Sequence, residues 1–130
     1  QAHQGRVELT GTMLTTRGDA AHGVHLDDGG SAQLEGGAIR TMGRNAHGLL
    51  VADGEASLTG TRVLTEGVAA EALMSGLGGR VEGDGLTLTT RGIGAAAATT
   101  QAGGALEVAN AWIETHGRVA PAVRGAGEIT

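Results

Sequence analysis

Lysine, cysteine, phenylalanine and tyrosine are all missing from this 130-residue chain, and proline and tryptophan occur once each. Without cysteine there is no disulfide, no thiolate metal site and no cysteine nucleophile. That fits a secreted bacterial protein as well as a cytosolic one. Without lysine, P-loop and Schiff-base chemistry lose their central residue. The near-absence of aromatics removes the side chains that supply much of the buried area in a compact core. Positive charge is also scarce: nine arginines face fourteen acids, for a formal net charge of -5. A nucleic-acid binder needs a basic stripe to neutralise phosphates, so no nucleic-acid partner is expected. No apolar run approaches the roughly 18 residues of a membrane-spanning helix, and no signal peptide is visible. If the protein is secreted, the chain is expected to be a mature piece or an excised fragment.

What the chain has in quantity is glycine, 25 residues of it, alongside 40% hydrophobic and only 18% charged residues. Glycine at this level without a G-X-Y triplet suggests low complexity. The aliphatic content is too high for a disordered tail. Together they point to short aliphatic strands joined by many tight turns.

The order of those turns is periodic. Five units run in register from Val7, Ala32, Ala56, Val81 and Leu106, spaced 25, 24, 25 and 25 residues apart. The most constant element is Thr-x-Gly, at Thr16/Gly18, Thr41/Gly43, Thr65/Gly67, Thr90/Gly92 and Thr115/Gly117. Three residues past each glycine stands alanine (21, 46, 70, 95, 120), and two before each threonine stands Leu14, Ile39, Val63, Leu88 or Ile113. An earlier column reads Gly11, Gly36, Gly60, Gly85 and Asn110, residue types that tolerate positive φ. Each unit reads as three short strands with period-2 alternation. No unit buries its apolar face alone; stacking does it. At about 4.8 Å per coil, five coils make a rod roughly 24 Å tall. The expected fold is therefore all-β, a right-handed parallel β-helix (solenoid) of about five coils. Residues 1–130 form one β-helical segment in this reading. An antiparallel sandwich leaves the recurrence at 25 unexplained.

Coils of the form x-L-x-G-x-x-I-x-T-x-G-x-x-A-x-G-V resemble the passenger domains of Gram-negative autotransporters, specifically the pertactin-like group. The likeness covers nearly the whole chain and is clearest in AIRTMGRNAHGLLVADG (38–54). It implies secretion across the outer membrane through a separate C-terminal β-barrel translocator, then display on the bacterial outer-membrane surface or release outside the cell. It also implies a virulence-associated adhesin or a binder of host surface or plasma proteins, complement regulators among them. This chain has no barrel, its first and last coils look uncapped, and Glu128-Ile129-Thr130 reads as a strand cut off after it starts. A fragment of a longer passenger is expected.

Catalytic and metal chemistry find little to build on. Ser31, Ser57 and Ser75 lie in no nucleophile-elbow pattern. Asp28 and Asp53 share a column, with Asp27 beside them, and such a cluster suits a glycan-cleaving or Ca²⁺-assisted site. The motifs DDGG and ADGE are also ordinary Asx-Gly turns, and the column continues as Leu77 and Ala102. His22 and His47 stack in AHG repeats near His25, a possible metal pair, but the column then reads Glu71, Ala96 and Pro121. These histidines are read as exposed turn residues. GGRVEGDGL (78–86) resembles a Ca²⁺-binding β-roll repeat without recurring every nine residues. The threonine column points inward, so no ice-binding array forms. No catalytic residue, metal site or cofactor is expected, and the chain is read as a non-enzyme; a carbohydrate-active β-helix and a plain spacer stalk are the alternatives.

A binding function would live on outward positions, where Arg62, Trp112, Met42, Met74 and Leu64 stand. Scattered, such residues are ordinary; grouped on one face they mark a partner surface. Trp112 is the leading single anchor, since Trp and Arg are enriched in hot spots. The remaining candidates are Arg17, Gly18 and Asp19, an RGD tripeptide of the kind integrins recognise. Gly18 belongs to the recurring Thr-x-Gly turn, Arg17 has a twin in Arg91, and the register predicts an ion pair between Asp19 and Arg44.

Overall fold

The structure is a computed structural model that describes residues 2–3, 5–76, 78–120, 123–125 and 128–129. Leu77, Pro121 and Thr130, which entered the column readings above, lie outside the described residues. Within them there is no helix, and the strands form three parallel sheets. Sheet I stacks Arg6–Thr10, Gly30–Glu35, Gly54–Thr59, Gly79–Asp84, Ala105–Ala109 and Glu128–Ile129. Sheet II stacks Met13–Thr16, Ala38–Thr41, Arg62–Thr65, Thr87–Thr90 and Trp112–Thr115. Sheet III stacks Ala2–His3, Val24–Asp27, Leu49–Val51, Leu73–Ser75, Ala98–Thr100 and Val123–Gly125. The chain visits I, II and III in turn and returns one level up, which is a parallel β-solenoid. The five strands of sheet II are separated by four steps and the six strands of sheets I and III by five, so the described residues make four to five turns where the sequence suggested about five.

The register follows the repeat. Val7, Ala32, Ala56, Val81 and Leu106 lie in one ladder of sheet I. Leu14, Ile39, Val63, Leu88 and Ile113 form another in sheet II. Inward side chains of all three sheets make one aliphatic core along the axis, with Leu26, Ile39, Leu49, Leu58, Val63, Leu73, Val81, Leu88 and Leu106 fully enclosed. Each buried aliphatic side chain contributes about 1.5–3 kcal/mol, so stability accumulates along the stack, coil upon coil. The threonine ladder is inside as well: Thr41, Thr65 and Thr90 have no exposed surface. Thr41 Oγ1 donates to Ala46 O at 2.5 Å and Thr90 Oγ1 to Ala95 O at 2.7 Å, each fastening its turn from within.

Three kinds of corner close each coil. Between sheets I and II, Gly11, Gly36, Gly60, Gly85 and Asn110 all hold φ between 52° and 67°. The corner after Thr-x-Gly uses positive φ too, at Ala20, Asn45, Ala69, Gly94 and Val119. Four of those five are not glycine, so residue type did not announce this corner. The Thr-x-Gly glycine is needed for a different reason: coils approach one another there. A Cβ on Gly43, Gly67, Gly92 or Gly117 would stand 1.8–2.0 Å from the carbonyl oxygen of the glycine one coil before. At Gly18 the nearest atom to such a Cβ is Ala21 Cβ at 3.6 Å.

Candidate binding face

The outward surface of sheet II and of the corner that follows it is a grid of columns, one residue per coil. Met13, Ala38, Arg62, Thr87 and Trp112 make the first column. Beside it run Thr15, Arg40, Leu64, Thr89 and Glu114, in the same register. The corner adds Arg17, Met42, Glu66, Arg91 and His116, then Asp19, Arg44, Val68, Ile93 and Arg118. Most of the exposed large apolar side chains among the described residues belong to this surface: Met13 is 78% and Trp112 65% exposed, with Val68, Ile93 and the adjoining Val119 also open. Trp112 and Arg62, singled out from sequence, are therefore brought to one face, and Met42 and Leu64 join them half-buried. Met74 does not; it sits on sheet III.

At the centre of the face Glu66 is clamped. Arg40 reaches it with Nε and Nη2 at 3.0–3.2 Å, and Arg91 Nη1 lies at 3.4 Å. At one end hydrogen bonding from the Trp112 indole edge is the largest influence on the Glu114 carboxyl, and His116 adds a contact of 3.4 Å. These hydrogen bonds hold the Glu114 carboxyl below the usual carboxylate range.

The RGD tripeptide lies at the first of these corners, with Arg17, Gly18 and Asp19 all exposed. Its geometry differs from the expected ion pair. Asp19 Oδ1 accepts the backbone N–H of Arg44 at 2.9 Å, so the carboxylate is held by the main chain of the next coil and not by the Arg44 guanidinium. The reason is local: the turn closes through Ala21 N–H to Gly18 O at 3.2 Å, which sets Asp19 against the neighbouring backbone. The same turn recurs as Ala46 to Gly43 and Ala95 to Gly92. The tripeptide is part of a tight, repeated corner and does not stand on a projecting loop.

The other surfaces are chemically distinct. Sheet I presents Glu8, Gln33, Ser57, Glu82 and Glu107 in one outward ladder, with a shallow depression of about 330 Å³ beside it. Glu82 and Glu107 both lie on Arg80, at 2.7 and 3.5 Å, which raises the guanidinium pKa further. Sheet III carries an open groove of about 510 Å³ lined by His22, His47, Leu50 and Met74.

The histidines in that groove are not the exposed turn residues their sequence setting suggested. The rings of His22 and His47 stack at 5.0 Å and 7°. His22 Nδ1 accepts the His47 amide and His47 Nδ1 the Glu71 amide, each at 3.0 Å, so the imidazoles extend the inter-coil ladder through side chains. Glu71 Oε2 is also 3.0 Å from His47 Nδ1. That nitrogen serves the amide as an acceptor and the carboxylate only as a donor. Burial, then His47, then His25 lower the His22 pKa to about 4. Asp27 is half-buried and Asp28 and Asp53 are exposed. Among the described residues no group of three His, Asp or Glu is placed to hold a metal ion. Ser75, one of the sequence's serines, is buried and donates to Gly79 O at 2.9 Å, a structural role.

Compared with protein-family models, with curated proteins and with solved structures, the chain matches none.

Proposed function

We propose that this chain is a non-catalytic β-solenoid segment of a surface-displayed or secreted bacterial passenger, and that it binds a host protein through its sheet II face. The observation that carries the reading is the grouping on that face: Trp112, Met13, Ile93 and Val68 stand open among arginines. Trp, Met and Arg are the side chains enriched in protein interfaces. Among the described residues sheet I, with its outward carboxylates, offers no comparable apolar anchor. The passenger origin rests on the resemblance of the coil pattern, and the parallel solenoid is compatible with it. Of the residues singled out from sequence, Trp112 is the anchor of this proposal. Arg17 contributes as part of the face, while Gly18 and Asp19 contribute to the corner more than to recognition.

The test is capture from human serum and cell-surface extract by the wild-type chain, by an Arg62→Glu/Trp112→Ala variant, and by an Arg80→Glu variant altered on sheet I. A partner held by wild type and Arg80→Glu but lost by the double variant is the expected result. Equal capture by all three places recognition elsewhere, and no capture by any leaves a spacer.

A further inference from the structure

Charge is sorted around the rod. The sheet II face and its corner hold six of the nine arginines (17, 40, 44, 62, 91 and 118) and only three of the fourteen acids (Asp19, Glu66 and Glu114). That surface is net +3, which leaves the rest of the chain at -8 within the formal total of -5. Internal pairing does not cancel it. Arg40 and Arg91 are spent on Glu66, whereas Arg17, Arg44, Arg62 and Arg118 are exposed and make no ion pair among the described residues. Four free guanidiniums distributed over four coils alternate with the apolar plate of Trp112 and with Ile93 and Val68.

Resting on the reading of this face as the binding surface, we propose that its partner is an acidic protein segment. The partner's carboxylates meet Arg17, Arg44, Arg62 and Arg118, and its apolar side chains cover Trp112 and Ile93. Arginine presents a planar fork that matches a carboxylate bidentately and is more weakly hydrated than an ammonium, so it suits an interface that also buries apolar area. A sulfated polysaccharide satisfies the guanidiniums but brings no apolar side chains to cover Ile93 and Val68. The protein partner is favoured for that reason. The acidic remainder of the rod repels the same partner, so the charge pattern also selects the orientation of approach.

Fluorescence anisotropy on the 130-residue chain tests this with three labelled probes. These are a short peptide alternating Asp/Glu with Leu/Phe, its Asn/Gln counterpart, and heparin. The expected result is binding of the acidic peptide, weakened about tenfold or more by raising salt several-fold. Arg44→Glu/Arg62→Glu and Trp112→Ala should each lose about tenfold or more, with Arg80→Glu close to wild type. Far-UV circular dichroism keeps unfolded variants out of the comparison, and the altered positions are all exposed. If the neutral peptide binds as well as the acidic one and Trp112→Ala still abolishes it, the face remains a binding surface and the acidic partner is overturned. Heparin binding that survives Trp112→Ala, with no peptide binding, replaces the protein by an anionic polysaccharide. Acidic-peptide binding unchanged by either substitution overturns both the partner and the face.

Discussion

Two glycines with the same place in the repeat have opposite tolerances. Gly67 sits where a Cβ would lie 1.9 Å from Gly43 O, while Gly18, with nothing stacked against it that closely, leaves 3.6 Å to Ala21 Cβ. Gly67→Ala is expected to cost about 3 kcal/mol or more, because neighbouring coils must separate. Gly18→Ala should stay within about 1 kcal/mol of wild type; urea midpoints of the two variants decide it. The threonine column offers a second contrast. Thr90 Oγ1 donates to Ala95 O, whereas Thr65 Oγ1 is buried without a hydrogen-bond partner. Thr90→Val removes a donor and strands a carbonyl, at about 1–2 kcal/mol, while Thr65→Val exchanges an unsatisfied hydroxyl for a methyl and should be neutral or stabilising. Loss of stability in Thr65→Val equal to that in Thr90→Val would show that hydroxyl bonding is not what distinguishes these coils.

At the scale of strands and corners, much was readable from periodicity. The columns at 7, 14 and 16 and their repeats predicted the ladders because a parallel register needs only a constant repeat length and an alternating pattern. Gly11 and its column predicted a positive-φ corner by residue type, and all five positions have it. The second corner was invisible for the converse reason. Ala20, Ala69 and Val119 adopt positive φ because the stacked coils over-determine them, against their own preference. The site was legible as a list and not as a place. Trp112 and Arg62 stood out, but only the register puts them in one ladder. Asp19 was matched to the right residue, Arg44, and to the wrong atom, since side-chain reach is not encoded by column. The histidine column hid its role in the same way, as the amide of the next coil that each ring meets is a backbone group. Its titration is testable. His22 holds a folded pKa of about 4 against an ordinary 6.5, with His47 and His25 facing it. As pH falls from 6.5 towards 4 the unfolded chain takes up a proton that folded His22 refuses, so stability is lost across that window. His22→Gln keeps an acceptor for the His47 amide and should flatten this fall relative to wild type in urea melts taken between the two pH values. Parallel pH curves for the two proteins would contradict the assignment.

For the whole molecule, a rod with no large aromatic core is held by repetition: every coil supplies the same ladders, and function is left to the outward positions that the ladders do not constrain. Those positions are not uniform around the rod. One surface gathers exposed apolar side chains and arginines that make no ion pair among the described residues, while the acids lie mostly elsewhere, and the proposed binding function rests on this asymmetry. Amide hydrogen exchange of the chain, alone and saturated with the acidic peptide, tests that claim most directly. The account predicts slowed exchange in the sheet II strands 62–65, 87–90 and 112–115 and in the Thr-x-Gly corners beside them, with sheet I strands 54–59 and 79–84 unchanged. Protection centred on sheet I or sheet III, or none anywhere along the rod, would contradict it.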